Sequence, residues 1–568
     1  MTDFARAGSV SALLVLALLG GCGGDDDGGA SPGQLVRVVD EPPGDNCAGG
    51  GSAIETGTDD NGDGVLDAGE VESTSYVCAG GGGSARDVGG FAAVAVRDEV
   101  FLSWDDLAID GLASVVVRRA TGGYPATAAD GELVYDGDES AVTDSGLAIG
   151  TEYFYRAFGR DADGHLAPGV DARVTPLPAG SFDPSLNGSG FLTEPPIALY
   201  DRGSQVVTDG AGRIVVIGTE QDQALVIWRF LADGRPDPSW AGSGVLIEGR
   251  ADSGYGVALD GEGRLLATGR LGDGMALFRY LDDGSSDGGF GTIGRVYVPG
   301  QGPGMRVAID DSGRAVVLAG ENSATVLRFT PEGDPDDSFG DGGAVALGDM
   351  PGGSTGVLPF GLALSGDEIV VVGSGVGVID WDLAVWWLDE QGDPKSSFGG
   401  DGIVTIDAVG EGPDVYGFAV AIDSAGRVVI GGAAAPDEGV HATAWRFGAT
   451  GALDSSFGDG GVAFADLPAG TSAEQALAVT IDDADRIVLA GQSFLTDRGG
   501  FALWRFTAAG TPDASFGDGG RVRDSVTGAT DGSERIDALA IDGYGRIVAA
   551  GSVGPTSGSQ MALWRLLP

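Results

Sequence analysis

The chain has 568 residues, and its 84 Asp and Glu against 32 Lys and Arg give a formal net charge of −52 at neutral pH. Such a surface repels DNA, RNA and anionic headgroups, which argues against nucleic-acid binding, while it favours solubility and attracts divalent cations. A single lysine, Lys395, removes Walker-type phosphate loops and Schiff-base chemistry.

Residues Val10 to Leu19 form a short apolar run after Arg6, too short to span a bilayer. The run ends in Leu19-Gly20-Gly21-Cys22, which resembles the lipobox of bacterial lipoproteins. That resemblance implies a signal peptide over 1–21, cleavage before Cys22, and a lipid on its thiol. It places the protein outside the cytoplasm, anchored to the bacterial outer membrane or cell surface, with each buried acyl CH₂ adding about 0.8 kcal/mol. The alternative is an ordinary secretory signal with an incidental cysteine. Residues 22–40, beginning "CGGDDDGGASPGQ", are polar and Gly-rich and predict a flexible tether.

With Cys22 set aside as the lipid acceptor, Cys47 and Cys78 remain as an even pair in an oxidising compartment. Their bridge would close a loop worth about 3 kcal/mol to a small module over 41–82. Inside that loop runs Asp59-Asp60-Asn61-Gly62-Asp63-Gly64-Val65-Leu66-Asp67-Ala68-Gly69-Glu70. Asp59, Asn61 and Asp63 supply side-chain oxygens, Val65 a carbonyl, Asp67 the ninth position and Glu70 the twelfth. Gly64 supplies the sharp turn. This spacing is that of the EF-hand-type loop and predicts a Ca²⁺ site. The flanks "SAIETG" and "EVESTSYVC" read as partly extended, which suits a structural ion better than a sensor. The segment resembles a short disulfide-closed module of secreted myxobacterial-type proteins, which implies a spacer or stabilising role.

Residues 86–177 read as all-β. "VFLSW", "ASVVVRRA", "ELVYDG" and "EYFYRAFGRD" are β-branched or aromatic runs between Gly/Asp turns. The stretch "DSGLAIGTEYFYRAF" resembles the fibronectin type III signature. The resemblance implies a sandwich with Leu147 at its corner and a Tyr153 hydroxyl bonded back to the backbone. Trp104 and Tyr153 are then core residues.

From 179 to 568 one pattern recurs seven times, opening at Asp183, Asp237, Asp287, Asp336, Lys395, Asp454 and Asp513. Each copy has a Gly-rich turn, a "GxV" run, a second apolar run, an Asp-x-x-Gly-Arg hairpin and a run ending in "WRF" or a variant. The hairpin arginine is Arg213, Arg264, Arg314, Arg427, Arg486 or Arg546, with Glu368 in the fourth copy. Several short strands per unit of this length predict a propeller. The chain ends on a "WRF"-type strand at "ALWRLLP" and begins the region with an extra "GxV"-type strand in "DPSLNGSGFL". The N-terminal strand is therefore expected to complete the last blade, giving an all-β chain with a seven-bladed propeller. The repeats resemble the delta-60 family of bacterial secreted proteins, with motif "DxSFGxxGxV…DxxGRIVVAG…ALxRY". The resemblance implies a propeller and no catalytic residues. Arg229, Arg279, Arg328, Arg446, Arg505 and Arg565 recur at one position, which suits ion pairs with turn aspartates better than six active sites.

No catalytic constellation is visible. The two histidines, His165 and His441, lie in different domains, and Gly352-Gly353-Ser354-Thr355-Gly356 lacks the strand-turn-helix context of a nucleophile elbow. The expected function is a monomeric, non-catalytic, lipid-anchored platform that binds a protein or carbohydrate ligand. The longest irregular loops are "GDMPGGSTGVLPF", "AVGEGPDVYG" and "DLPAGTSAEQ", and the ligand is expected there. Two alternatives are a propeller hydrolase or lyase with a metal or acidic pair at the channel mouth, and a purely structural envelope component.

Overall fold

In the computed structural model, residues 87–568 are described except for 97, 108–111, 194–200, 221–223, 322, 349–356, 377–380, 407–414, 437–438, 469–470, 496–498, 525–533 and 555–557. The backbone of three further strands, Gln34–Glu41, Gly51–Thr58 and Val71–Cys78, is also described. The fold is all-β, and the chain divides into two compact units, 1–175 without 95–98, and 176–568 with 95–98.

In the first unit, Gln34–Glu41, Gly51–Thr58 and Val71–Cys78 pair in order as one antiparallel sheet. The expected tether over 22–40 therefore gives way to a strand at 34–40, and its residues 22–33 lie outside the described residues. The polar Gly/Asp run stops before "QLVRVVDE", whose Leu35, Val36, Val38 and Val39 give it strand character. The calcium-type loop and Cys47 lie outside the described residues.

The same unit also contains a three-stranded sheet (Ala92–Val96, Glu99–Ser103, Ala141–Asp144). A four-stranded one orders Val170–Val174, Tyr153–Arg160, Ser114–Ala120 and Glu132–Gly137. Val100 and Leu102 of the smaller sheet pack on Val115, Val117, Tyr155 and Ala157 of the larger, with Trp104 in the same core. The Ala148 N–H donates to the Tyr153 hydroxyl at 2.9 Å, which ties the corner to the following strand. Burial pushes the Tyr155 phenol up, and its hydrogen bond to Asp144 at 2.8 Å adds to the effect.

Among the described residues, the second unit has seven four-stranded antiparallel sheets. Six are continuous in sequence, over 201–248, 253–298, 304–346, 357–406, 415–464 and 471–524. The seventh takes three strands from 535–566 and a fourth, Phe191–Thr193, from the start of the unit, paired antiparallel with Gln560–Leu566. Each sheet is thus offset from the sequence repeat by one strand. The "GxV" run of a repeat is the outer strand of the sheet before it, as Val245–Glu248 is for the first.

The first strand of each sheet contacts the first strand of the next, and Arg535–Ile541 of the last contacts Asp201–Thr208 of the first. The apolar core continues across that junction. Leu186, Leu192, Val206, Val216 and Trp228 pack with Ala538, Val548, Ala550, Met561 and Leu563. Both faces of each sheet are covered, so middle strands such as Ala224–Phe230 are buried at every position.

The recurrent arginines serve this architecture. The Arg229 Nε donates to Asp237, eight residues on, at 2.8 Å, and Arg279, Arg328, Arg446 and Arg505 repeat the bond to Asp287, Asp336, Asp454 and Asp513 at 2.7–2.9 Å. Each of these arginines also lies over the aromatic ring three residues beyond its aspartate, as Arg328 does over Phe339 at 4.5 Å. A second arm reaches the neighbouring sheet: Arg328 Nη1 donates to the Glu390 carbonyl at 2.6 Å and Arg565 Nη1 to that of Ala232 at 2.6 Å. Arg565 finds its carboxylate in Asp183, at the far end of the unit, at 2.7 Å.

The fourth sheet reverses the charges. Trp387 stands in the arginine position, Lys395 in the aspartate position and Glu368 in the hairpin-arginine position. Lys395 Nζ donates to Glu368 at 2.6 Å, Trp387 Nε1 donates to the same oxygen at 3.0 Å, and the ammonium lies 4.3 Å from the Trp387 ring centroid. Three departures from the repeat form one compensated cluster.

Candidate binding site in the central channel

The site begins with a backbone irregularity. In all seven first strands the pairing register slips by one residue, at Gly203/Gln205, Gly254/Gly256, Gly304/Arg306, Pro359/Gly361, Gly417/Ala419, Ala476/Ala478 and Ile536/Ala538. A β-bulge leaves one residue unpaired, bends the strand and re-aims its side chain. The residues so displaced are Ser204, Tyr255, Met305, Phe360, Phe418, Leu477 and Asp537. They occupy one layer of the ring formed by the first strands.

The position after the bulge explains how closely those strands converge. It holds Gly256, Gly361, Ala419, Ala478 and Ala538 in five sheets. A Cβ on Gly256 would stand 3.0 Å from the Arg306 Cα, and one on Gly361 would stand 3.2 Å from the Ala419 Cα. Gln205 and Arg306 are the two long side chains at this position. Together with Ser204, Leu362, Leu477 and Asp537 they line a cavity of about 110 Å³ between the first strands.

One guanidinium, Arg306, and one carboxylate, Asp537, line this cavity, and Arg202 and Arg535 pair with that carboxylate. Asp537 is 4% exposed and accepts from Arg202 at 2.6 and 2.9 Å and from Arg535 Nε at 2.7 Å. Arg306 Nη1 donates to the Met305 carbonyl at 2.8 Å, and among the described residues Arg306 has no carboxylate partner. Burial pulls the Arg306 pKa down to about 10; Asp537 opposes this and Arg202 adds to it, so the group stays cationic at neutral pH. Burial also lowers Arg535, against the pull of Asp537. Gln205 Oε1 accepts from the Val257 N–H at 2.9 Å, which commits the oxygen and leaves its NH₂ as a donor.

Aromatic residues cluster on two neighbouring first strands. Phe360 and Phe418, on adjacent first strands, meet edge to face with centroids 5.3 Å apart, and Tyr416 stacks on Phe418 at 5.7 Å. Phe360 and Tyr416 close two of the long loops singled out in the sequence. The bodies of those loops, 349–356 and 407–414, lie outside the described residues, as do 469–470 of the third. A larger cavity of about 230 Å³ lies beside Asp466, Trp504, Pro512 and Arg521. Arg521 there is committed to the buried Glu474, which also accepts from Ser493 at 2.8 Å and Trp504 at 3.2 Å. Burial pushes that carboxyl up against the pull of Arg521.

The residues predicted from the calcium motif, Asp59, Asn61, Asp63, Val65, Asp67 and Glu70, lie outside the described residues, as do Cys22 and Cys47. Cys78 ends the strand Val71–Cys78. Among the described residues no group of three His, Cys, Asp or Glu is placed to hold a metal, and no helix is long and apolar enough to cross a membrane. His441 is buried, with Nδ1 2.8 Å from the Ala465 carbonyl. Sequence reasoning missed Arg306, Gln205 and Asp537. Their signal was available as the two long residues in a column of Gly and Ala and a lone Asp in a column of apolar and aromatic residues.

Residues 34–78, which span the three-stranded sheet, match a family model described as a domain of unknown function, DUF7151. No curated protein matches the chain in sequence. Among solved structures, the chain is similar to PorZ, an essential surface component of the type-IX secretion system of Porphyromonas gingivalis. That match has 12% identity and a TM-score of 0.35, over 92% of this chain and 67% of that one. It is also similar to the polysaccharide lyase Uly1 (11%, TM-score 0.37, 64% and 90%) and to YCF48 bound to D1 peptide (13%, TM-score 0.34, 66% and 94%). Likenesses this remote carry no inference about activity.

Proposed function

We propose that the chain is a lipid-anchored cell-envelope protein that presents a closed seven-bladed propeller, 179–568, as a non-catalytic platform for a protein or glycan. The observation that carries this reading is the division of labour among side chains. The repeated arginines and aspartates are consumed in pairs that hold sheets together. The non-repeated polar and aromatic residues gather at the channel, where Gln205, Arg306, Asp537, Phe360 and Phe418 break the pattern. The cyclic contacts of the first strands and the pairing of Phe191–Thr193 with Gln560–Leu566 support a ring without a free edge.

In the same reading Cys22 carries the lipid and the polar run after it is the tether. Residues 86–177 form a fibronectin type III-like spacer, supported by a three- and four-stranded sheet pair around one core and by the Tyr153 corner bond. A Ca²⁺ ion stiffens the 59–70 loop, held by Asp59, Asn61, Asp63, Val65, Asp67 and Glu70, with Cys47 and Cys78 bridged around it. Calorimetric titration of the full chain with CaCl₂ should show one saturable site that Glu70→Ala abolishes. Equal heats from both proteins would remove the ion from the reading.

The platform itself is tested by capture from the protein's own envelope fraction and on a glycan array, using wild type, a Phe360→Ser/Phe418→Ser variant and Ile293→Ser. Ile293 is 72% exposed and belongs to an outer turn. The expected result is a ligand held by wild type and Ile293→Ser and lost, by about tenfold or more, from the double variant. A ligand bound equally by all three would move the site away from the channel face.

A further inference from the structure

We infer that the central channel is an anion site for a small monocarboxylate, with the Arg306 guanidinium as its principal ligand and the Gln205 NH₂ and Ser204 hydroxyl as neutral donors. The inference deepens the platform reading and rests on its ring of first strands.

The first ground is local charge. The cavity is lined by one guanidinium, Arg306, and one carboxylate, Asp537, and that carboxylate is already held by Arg202 and Arg535. Carboxylates are abundant in a chain whose net charge is −52, and the repeated interior arginines receive at least one each: Arg229 has Asp237 and Asp282, Arg328 has Asp336, Arg505 has Asp513. Arg306 does not. Its recorded hydrogen bond is to the neutral carbonyl of Met305. A partly buried cation left without a carboxylate is costly, and an anion supplied from outside removes that cost.

Asp537 does not fill the role, because Arg202 and Arg535 already engage both of its oxygens. Its function is to hold those two arginines. Gln205 adds direction, since its oxygen is fixed by the Val257 N–H and its amide hydrogens are left to donate.

Carboxylate is favoured over phosphate or sulfate for two reasons. A cavity of about 110 Å³ accepts a compact planar group, and a guanidinium fork matches the two oxygens of a carboxylate. The strongly negative surface also penalises the approach of a dianion more than that of a monoanion. The apolar part of the cavity lining, formed by Leu362, Leu477 and Leu539, suits a ligand with a non-polar body behind its acid.

The test is titration of the full chain with sodium glucuronate, sodium phosphate and sodium sulfate at one ionic strength, followed by calorimetry and by the shift in thermal midpoint. Glucuronate should saturate and raise the midpoint, with the other two weaker. Arg306→Gln should weaken glucuronate by about tenfold or more, the loss expected for one charged hydrogen-bonding group. Asp537→Asn should strengthen it by removing the negative charge that shares the cavity with Arg306. A second variant, Gln205→Leu, gives an independent reading should Arg306→Gln fold poorly, and it should also weaken binding. No saturable glucuronate binding, tighter phosphate than glucuronate, or unchanged binding in both Arg306→Gln and Gln205→Leu would each overturn the inference. Glucuronate binding with no macromolecule captured would sink the platform and leave the channel site standing. Capture without glucuronate binding would do the reverse.

Discussion

Replacing Asp183 by Asn is expected to lower the stability of the 176–568 unit by about 3–5 kcal/mol, the cost of breaking a buried ion pair by removing one partner. Asp183 is 4% exposed and stands between two buried guanidiniums, Arg565 Nε at 2.7 Å and Arg546 Nη1 at 3.0 Å. Burial pushes its carboxyl up, but Arg565, Arg546 and the bonds from Ser185 outweigh that and hold it below its ordinary value. The asparagine keeps the shape and removes the charge, so Arg565 is left without a carboxylate while Arg546 retains Asp542 at 2.7 Å.

Position makes this pair different from its five relatives. The Asp237–Arg229 bond joins residues of one hairpin region, whereas Asp183 and Arg565 are 382 residues apart and join the start of the unit to its last strand. Losing it also loosens the seat of Phe191–Thr193 on Gln560–Leu566, with Leu186 and Leu192 behind it. Asp336→Asn therefore serves as the control, since it leaves Arg328 without a carboxylate, as Asp183→Asn leaves Arg565, while Arg314 retains Asp310 and the junction is untouched. In urea denaturation followed by Trp fluorescence, Asp183→Asn should lose clearly more than Asp336→Asn. Equal losses would show that the junction carries no more than any other pair.

The parts of this molecule that were legible in the sequence are those governed by local chemistry. The Asp-x-x-Gly-Arg hairpins read correctly because the Asp carboxylate bonds the N–H two and four residues on, as Asp260 does to Glu262 and Arg264 at 2.9 Å. Four-stranded sheets followed from the spacing of apolar runs. The "WRF" arginines were legible as ion-pair partners, but their reach into the next sheet was not, because Glu390 and Ala232 offer backbone carbonyls that no side-chain pattern marks.

The channel was hidden for a stricter reason. Arg306 sits in "GMRVAI", which reads as an ordinary strand with one solvated cation. Its place beside Asp537 depends on a bulge that slips the register by one residue, and a one-residue slip exchanges the two faces of a strand. The fourth repeat taught the opposite lesson. Trp387, Lys395 and Glu368 each depart from the motif, yet they meet around one oxygen and replace an arginine–aspartate pair by a lysine–glutamate pair. In the first unit, the Gly/Asp composition of the tether obscured the short alternating strand Gln34–Glu41 that follows it.

Acid should unfold the 176–568 unit within a narrow window, from about pH 4 down to about pH 2. Six structural aspartates, Asp183, Asp237, Asp287, Asp336, Asp454 and Asp513, are all held below their ordinary value. Burial works against all six and is the largest single influence at five, yet the facing arginines and the hydroxyls and N–H groups two residues on prevail. At Asp454 the Ser456 hydroxyl and N–H lead, and with Arg446 they bring the carboxyl down to about 2. A carboxylate depressed in the folded state stabilises the fold fully above its unfolded pKa, and that contribution disappears as pH falls through the folded value. Glu474, pushed up by burial, has the opposite sign and makes the fold slightly easier to keep as pH first falls. Protonation also removes the excess of negative charge, so repulsion eases above pH 4 and then reverses, leaving the 32 Lys and Arg unopposed. Far-UV circular dichroism and the urea midpoint should therefore stay level or rise from about pH 7 to about pH 5 and collapse below about pH 4. Asp454→Asn should flatten the acid limb of the curve, since the residue can no longer gain a proton on unfolding. A loss that begins at about pH 6, before these aspartates gain protons, would show that the depressed aspartates are not what holds the sheets together.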